Sequence, residues 1–186
     1  MNFNNHSNLE GFHAYLGASK YHWINYDEEK LSQAYKNHLA TERGTRLHDL
    51  AARLIRERIK VKSTKQTFNM YVNDAIGFGM SPEVILYYSE NAFGTADSIW
   101  FKNNKLRIHD LKTGLTPAKM DQLEIYVALF CLEYDHKPAD LETELRIYQF
   151  DQIFIHNPDP EKILYIMDKF VAFDKLIRSI DEDEGV

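Results

Sequence analysis

The chain reads as an α/β protein with a small mixed sheet flanked by helices, and three observations predict it. Apolar residues recur at three and four before about residue 77, alternate from Val84 to Leu111, and return to the helical period after Pro117. Turn-forming residues, Gly77, Gly79 and Asn103-Asn104, fall where the period changes or a strand must reverse. A helical segment then separates the third strand-like segment from a fourth, as in a crossover between strands of one sheet.

The elements follow in order. Asp27 to Leu39 is predicted helical, and a second helix is expected from about Thr41 to Lys60, where Leu47, Leu50, Ala51, Leu54, Ile55 and Ile59 share a face. Gln66 to Gly77 reads as a weaker third helix, ended by Gly77 and Gly79. Val84–Ser89, Phe93–Phe101 and Lys105–Leu111 are rich in β-branched and aromatic residues and read as strands. Pro117 opens a predicted helix from Ala118 to Tyr134, with Met120, Leu123, Val127, Phe130 and Cys131 available to face the sheet. Glu142–Phe150 is a fourth strand, with Leu145, Ile147 and Gln149 alternating against Arg146, Tyr148 and Phe150. A last helix, Pro160 to Ile180, puts Ile163, Ile166, Met167, Phe170, Phe173 and Ile177 on one stripe.

With 186 residues, no internal repeat and no linker-like stretch, one domain over residues 1–186 is the economical expectation. Its core would span about 41–150 and its C-terminal helix about 160–180. At 44% hydrophobic and 27% charged residues, the composition excludes a disordered chain. The first residues, MNFNNHSNLEGF, are neither basic nor apolar, and no apolar run is long enough to span a bilayer. A cytoplasmic protein with no membrane partner is expected. Cys131 is the single cysteine, so an internal disulfide and a cysteine-ligated iron–sulfur cluster are excluded, and any metal must be held by oxygen or nitrogen.

The net charge of −6 argues against a polyanionic partner, but its distribution is uneven. Between Thr41 and Lys65 eight Lys and Arg face three acids, whereas Asp181 to Glu184 is an unbroken acidic run. The basic stretch is either a solvated helix face or an electrostatic track.

The chemistry concentrates between Phe93 and Gly114. If Asn103-Asn104 is a two-residue hairpin turn, which asparagine suits because it tolerates positive φ, Lys102 pairs with Lys105 and Asp97 comes to lie opposite Asp110. The same face then carries Ile99 against Ile108 and Phe101 against Leu106, with Lys112 two residues beyond Asp110. Opposed carboxylates, with Cβ atoms about 4.5–5.5 Å apart, repel each other, the more so on a core-facing side. A cation belongs between them. Either Lys112 is that cation, in a structural Asp–Lys–Asp cluster, or a hard divalent ion takes the place and leaves Lys112 to face a reacting group. The second accounts better for the pair, since Mg²⁺ prefers oxygen ligands and is commonly held by one or two carboxylates.

Asp97 followed by Asp110-Leu111-Lys112 resembles the signature of the PD-(D/E)XK nuclease superfamily. Gln122-x-x-x-Tyr126, on the following helix, is similar to the Q-x-x-x-Y motif of its RecB-like and phage-exonuclease branch, and His48 in Gly44-Thr45-Arg46-Leu47-His48 to that branch's upstream histidine. Leu16-Gly17-Ala18-Ser19 is similar to the glycine/serine turn of YqaJ-type and lambda-exonuclease-type proteins. The resemblance runs from about Leu16 to Phe150. Ala96 stands where the signature has proline, and the cysteines of the iron–sulfur subgroup are missing.

The resemblance implies a restriction-endonuclease-like αβββαβ core with extra N-terminal helices and a C-terminal helix. It implies Mg²⁺ or Mn²⁺ held by His48, Asp97, Asp110 and the Leu111 carbonyl, with Glu90 as a further candidate acid. Asp97, Asp110 and Lys112 would carry catalysis, with Gln122 and Tyr126 touching the DNA strand or bracing Lys112. Ser19, Arg43, Arg46 and Arg53 become candidate nucleic-acid contacts, and Trp23, Trp100 and Tyr126 candidates for base stacking. The function implied is a metal-dependent deoxyribonuclease, more an exonuclease of viral or recombination and repair type than an endonuclease. DNA would be its partner, alongside a second copy of the chain or a single-strand annealing or recombination protein. Two other classes stay open: an inactive module of the same fold that binds nucleic acid or a protein, and an unrelated protein whose last helix docks a partner.

Overall fold

The computed structural model describes residues 4–185, and the chain divides into two compact units, Met1–Glu42 and Arg43–Val186. Among its described residues the first unit has two 3₁₀ stretches, Ser7–Leu9 and Ala18–Asn25, and the start of helix α1, Glu28–Arg56. Asp27 caps α1 by accepting from the Lys30 amide at 2.7 Å. The two helices predicted at Asp27–Leu39 and Thr41–Lys60 are this one helix. Nothing at residue 40 breaks it, since Thr41 stays helical and bonds the Asn37 carbonyl one turn back at 3.1 Å.

The second unit is a five-stranded mixed sheet with helices on both faces. After α1 come α2 (Thr67–Gly77), β1 (Ser81–Ser89), β2 (Ala92–Lys102), β3 (Lys105–Leu111), α3 (Asp121–Tyr134), β4 (Glu142–Gln149), β5 (Gln152–His156) and α4 (Pro160–Glu184). Spatial order equals chain order; β1, β2 and β3 are antiparallel, α3 carries the chain across to β4 parallel to β3, and β5 returns antiparallel. The β3–β4 pair is covered on both faces, apolar beneath α3 and mixed on the other side, where Arg107, His109, Glu144 and Arg146 accompany Leu111 and Tyr148. Leu106, Ile108, Leu145 and Ile147 pack with α3, and Leu111 and Tyr148 with Ala51, Ile55 and the α2 residues Tyr71, Val72 and Ala75.

Asn103 and Asn104 do form the hairpin turn, both at positive φ, 51° and 60°. The register is the expected one from Lys102↔Lys105 to Ser98↔His109. Strand β5 escapes prediction because its turn is Phe150-Asp151, a pair that sequence does not mark, held at φ 54° and 56°. A tertiary contact explains the conformation: Asp151 accepts from the Thr67 amide at 2.7 Å and so caps α2. The helix expected from Ala118 begins at Asp121 instead, because the segment before it is tied down by Gln149. Helix α4 keeps its predicted start and runs on to Glu184, with Asp159 accepting from the Glu161 amide at 3.0 Å. Its apolar stripe is covered only in part: Ile163 is buried, whereas Phe173 and Ile177 are exposed. Beside them the helix is anchored by Asp174, which accepts from Ser89 at 2.6 Å and Asn91 at 3.2 Å, with the Arg178 guanidinium 2.9 Å away.

Candidate active site

The site is built where β2 and β3 stop pairing. Their ladder ends at Ser98↔His109, and the next free amide, that of Leu111, donates to Asp97 Oδ2 at 2.8 Å. The Asp97 carboxylate therefore meets the main chain of β3, and Leu111 joins the site through its N–H. Side-chain alternation slips at the same place. Ala96 and Ile99, three apart, both join the core beneath α3, while Ser98 reaches Met80 in the opposite core at 3.7 Å. Across the β1–β2 ladder, between Pro82↔Ser98 and Val84↔Ala96, Asp97 faces Glu83, whose φ of 52° is unusual for an extended non-glycine residue.

Three ligand-type side chains converge there. One donor atom from each of His48, Glu83 and Asp97 lies within 4.8 Å of the others. His48, on the sheet-facing side of α1, puts Nδ1 3.3 Å from Asp97 Oδ2. Gly44, one turn earlier, lets α1 approach the residue after Lys112: a Cβ there would come 2.9 Å from Thr113 Oγ1. Glu83 is the residue that sequence reading missed. Glu90, the acid suggested instead, is exposed in the β1–β2 turn. Ala92 beside that turn is five positions from Asp97, about 17 Å along a strand, which puts Glu90 at the far end of the hairpin.

Asp110 is 2% exposed on β3. Lys112 Nζ donates to its Oδ1 at 3.0 Å and lies 3.0 Å from Oδ2, which has no directed hydrogen bond of its own. The lysine is braced from α3: Gln122 Oε1 accepts from Nζ at 2.8 Å, and Gln122 Nε2 donates to Tyr126 Oη at 3.0 Å. Asp110, Lys112, Gln122 and Tyr126 thus form one chain of hydrogen bonds. Gly94 leaves room for it, since a Cβ there would stand 2.9 Å from Tyr126 Cε1. The loop from Lys112 to α3 is fixed by Gln149, 2% exposed. Its Oε1 accepts from the Ala118 amide at 2.9 Å, and its Nε2 donates to the carbonyls of Gly114 and Thr116 at 2.9 and 2.8 Å.

The electrostatics are those of a cation-seeking cluster. Burial, and then the charge of Asp97, push the Asp110 carboxyl up to about 6. Burial and Asp97 also raise Glu83, and the hydrogen bond to Asp97 raises His48. Each group favours taking up positive charge. The His48, Glu83 and Asp97 set is a donor arrangement that fits a hard divalent ion; Asp110, with its under-bonded Oδ2, is not one of the three that converge but feels the charges of Asp97 and His48.

None of the other expected residues of the second unit joins the His48, Glu83 and Asp97 set. Arg43, Arg46 and Arg53 are exposed on α1, about 140–160° round the helix axis from His48 at 100° per residue. Arg56 is only about 80° from it, and its charge acts on Glu83. Trp100 is half-buried, with the Arg107 guanidinium 5.3 Å from its ring. Ser19 and Trp23 belong to the first unit, where Ser19 is exposed and Trp23 donates from its indole N–H to the Gly17 carbonyl at 3.1 Å. No helix among the described residues is long and apolar enough to cross a membrane. Compared with family models, curated proteins and solved structures, the chain matches none.

Proposed function

We propose that the chain is a metal-dependent phosphodiesterase acting on DNA, a nuclease of PD-(D/E)XK type. The observation that carries this reading is one juxtaposition: three potential ligands, His48, Glu83 and Asp97, beside a buried Asp110 whose lysine is braced by a glutamine and a tyrosine. A purely structural Asp–Lys cluster needs neither the strained Glu83 nor the histidine. Asp97, Asp110, Glu83 and His48 would hold Mg²⁺ or Mn²⁺, which when bound supplies Lewis acidity and a more acidic water.

The chain's own residues do the rest. Asp110 and Gln122 occupy two of the three N–H donors of Lys112 and leave the third for a phosphoryl oxygen or the attacking water. The ammonium thus puts a fixed positive charge where negative charge grows in the transition state. Gln122 holds it in one rotamer, and Tyr126 fixes the orientation of the Gln122 amide. Asp97 binds His48 and the Leu111 amide with one oxygen, which fixes the carboxylate before any ion arrives.

The test incubates end-labelled linear and covalently closed circular DNA with Mg²⁺, Mn²⁺ or EDTA. Loss of linear DNA alone marks an exonuclease, and nicked circles an endonuclease. Lys112→Ala is expected to lower the rate by about 10²–10⁴-fold while Mn²⁺ still binds by titration calorimetry. Asp97→Ala is expected to abolish both. DNA bound without any metal-dependent product would instead identify an inactive binding module.

A further inference from the structure

We infer that the first unit carries a stacking pocket for a nucleobase of single-stranded nucleic acid. The idea rests on the nuclease reading for its purpose, since it names the form of substrate, but its observations are separate. His13, Tyr15, Lys20, Trp23, Tyr26 and His38 line a cavity of about 200 Å³. That volume suits one planar ring system and falls below the range of about 300–1,000 Å³ of drug-sized ligand sites.

The rings are held in place without forming a core. No described residue of this unit is buried, and Tyr15, Trp23 and Tyr26 are half-buried. Trp23 is pinned by its bond to the Gly17 carbonyl at 3.1 Å. Tyr15 meets Tyr35 edge-on at 4.9 Å and lies 5.1 Å from the His38 ring. Held rings with solvent-accessible surface cost a ligand little ordering entropy.

Charge decides between the two ligands that such a cage could take. An aromatic cage for a cation needs uncompensated ring faces. Here the Lys30 ammonium already sits 4.5 Å from the centre of the Tyr26 ring, and Lys20 adds a second positive group. No carboxylate lines the cavity; Asp27, next to Tyr26 in the chain, is engaged in capping α1 through the Lys30 amide, and Glu42 lies 3.7 Å from His38. A flat, uncharged ring joined to a phosphate fits this surface; a cationic ligand does not. A base within a duplex hides both faces against its neighbours, so the ligand is a single strand.

The full-length protein is titrated in EDTA, where no cleavage intervenes, with a labelled oligothymidylate, an abasic oligomer of the same length and the same sequence as a duplex. Anisotropy reports binding, and tryptophan fluorescence reports stacking. Saturable quenching by the single strand alone, lost in Trp23→Phe, is expected. Tyr15→Ala is expected to weaken binding by about 5- to 100-fold, with Tyr15→Phe restoring it and so separating stacking from folding. Equal binding of the abasic oligomer, or unchanged affinity in Tyr15→Ala, overturns the inference and leaves the nuclease reading untouched. Loss of cleavage activity with quenching intact does the reverse.

Discussion

Gly94 is required by a ring, not by a turn. Its backbone is ordinary strand, yet a Cβ would meet Tyr126 Cε1 at 2.9 Å and Cδ1 at 3.7 Å. A tyrosine ring buried in the core between α3 and the sheet has little room to retreat, and a retreat breaks its 3.0 Å bond with Gln122. Gly94→Ala is therefore expected to cost about 1–3 kcal/mol of stability, read from the denaturant midpoint, and to loosen Lys112 through Gln122. An unchanged midpoint would mean that the ring yields freely and that the bracing is weak. Residues of this kind explain what could be read from the sequence. Asp110 with Lys112, two apart on a strand, and Gln122 with Tyr126, four apart on a helix, meet as their spacing encodes, whereas Asp97 meets His48 and the Leu111 amide rather than the expected Asp110. Gln149 did not stand out, since its three bonds reach a loop more than thirty residues away and look, in sequence, like one buried polar residue in a strand.

Among the elements, the β2–β3 hairpin was legible from its turn to Ser98↔His109, because two asparagines fix the turn and the turn fixes the register. The expected pairing of Asp97 with Asp110 does not follow, since the ladder ends at that point and Asp97 accepts from the Leu111 amide instead. The β1–β2 hairpin was not legible in this way. Counting back from the Glu90-Asn91 turn sets Val84 opposite Asp97, but a register shift between Tyr87 and Ser89 moves the partner by one, to Glu83. A single bulge thus hid the fourth ligand-type side chain. Helix α4 shows the same limit, since an apolar stripe predicts docking along its whole length, whereas its second half is held by Asp174. The Ser89 hydroxyl, with Asn91 and Arg178, holds that carboxylate below its ordinary value. A depressed folded value means stabilisation that is complete above the unfolded value of about 3.9 and lost as pH falls through the folded one. Asp174→Asn should lower the thermal midpoint at pH 7, and the gap to the parent protein should close below about pH 4. A gap that persists undiminished at pH 2.5 would assign the anchoring to something other than the charge.

At the scale of the whole molecule, a chain with net charge −6 can bind a polyanion only through local charge, against its own mean field. The basic run from Arg43 to Lys65 reads in sequence as either a solvated face or a track, and its helical part distributes its residues round an axis. Arg43, Arg46 and Arg53 occupy the side of α1 away from His48, while Arg56 acts on Glu83. If the nucleic acid reaches the cluster of His48, Glu83 and Asp97, Arg56 is the arginine of α1 placed to meet a phosphate there. Each phosphate contact adds about 0.7 to the slope of log affinity against log salt for a single strand. Arg56→Ala should therefore flatten that slope by about this amount in metal-free protein, and Arg53→Ala should leave it nearly unchanged. The opposite ranking would put the strand on the outer face of α1, away from His48, and separate the basic track from the chemistry proposed for the site.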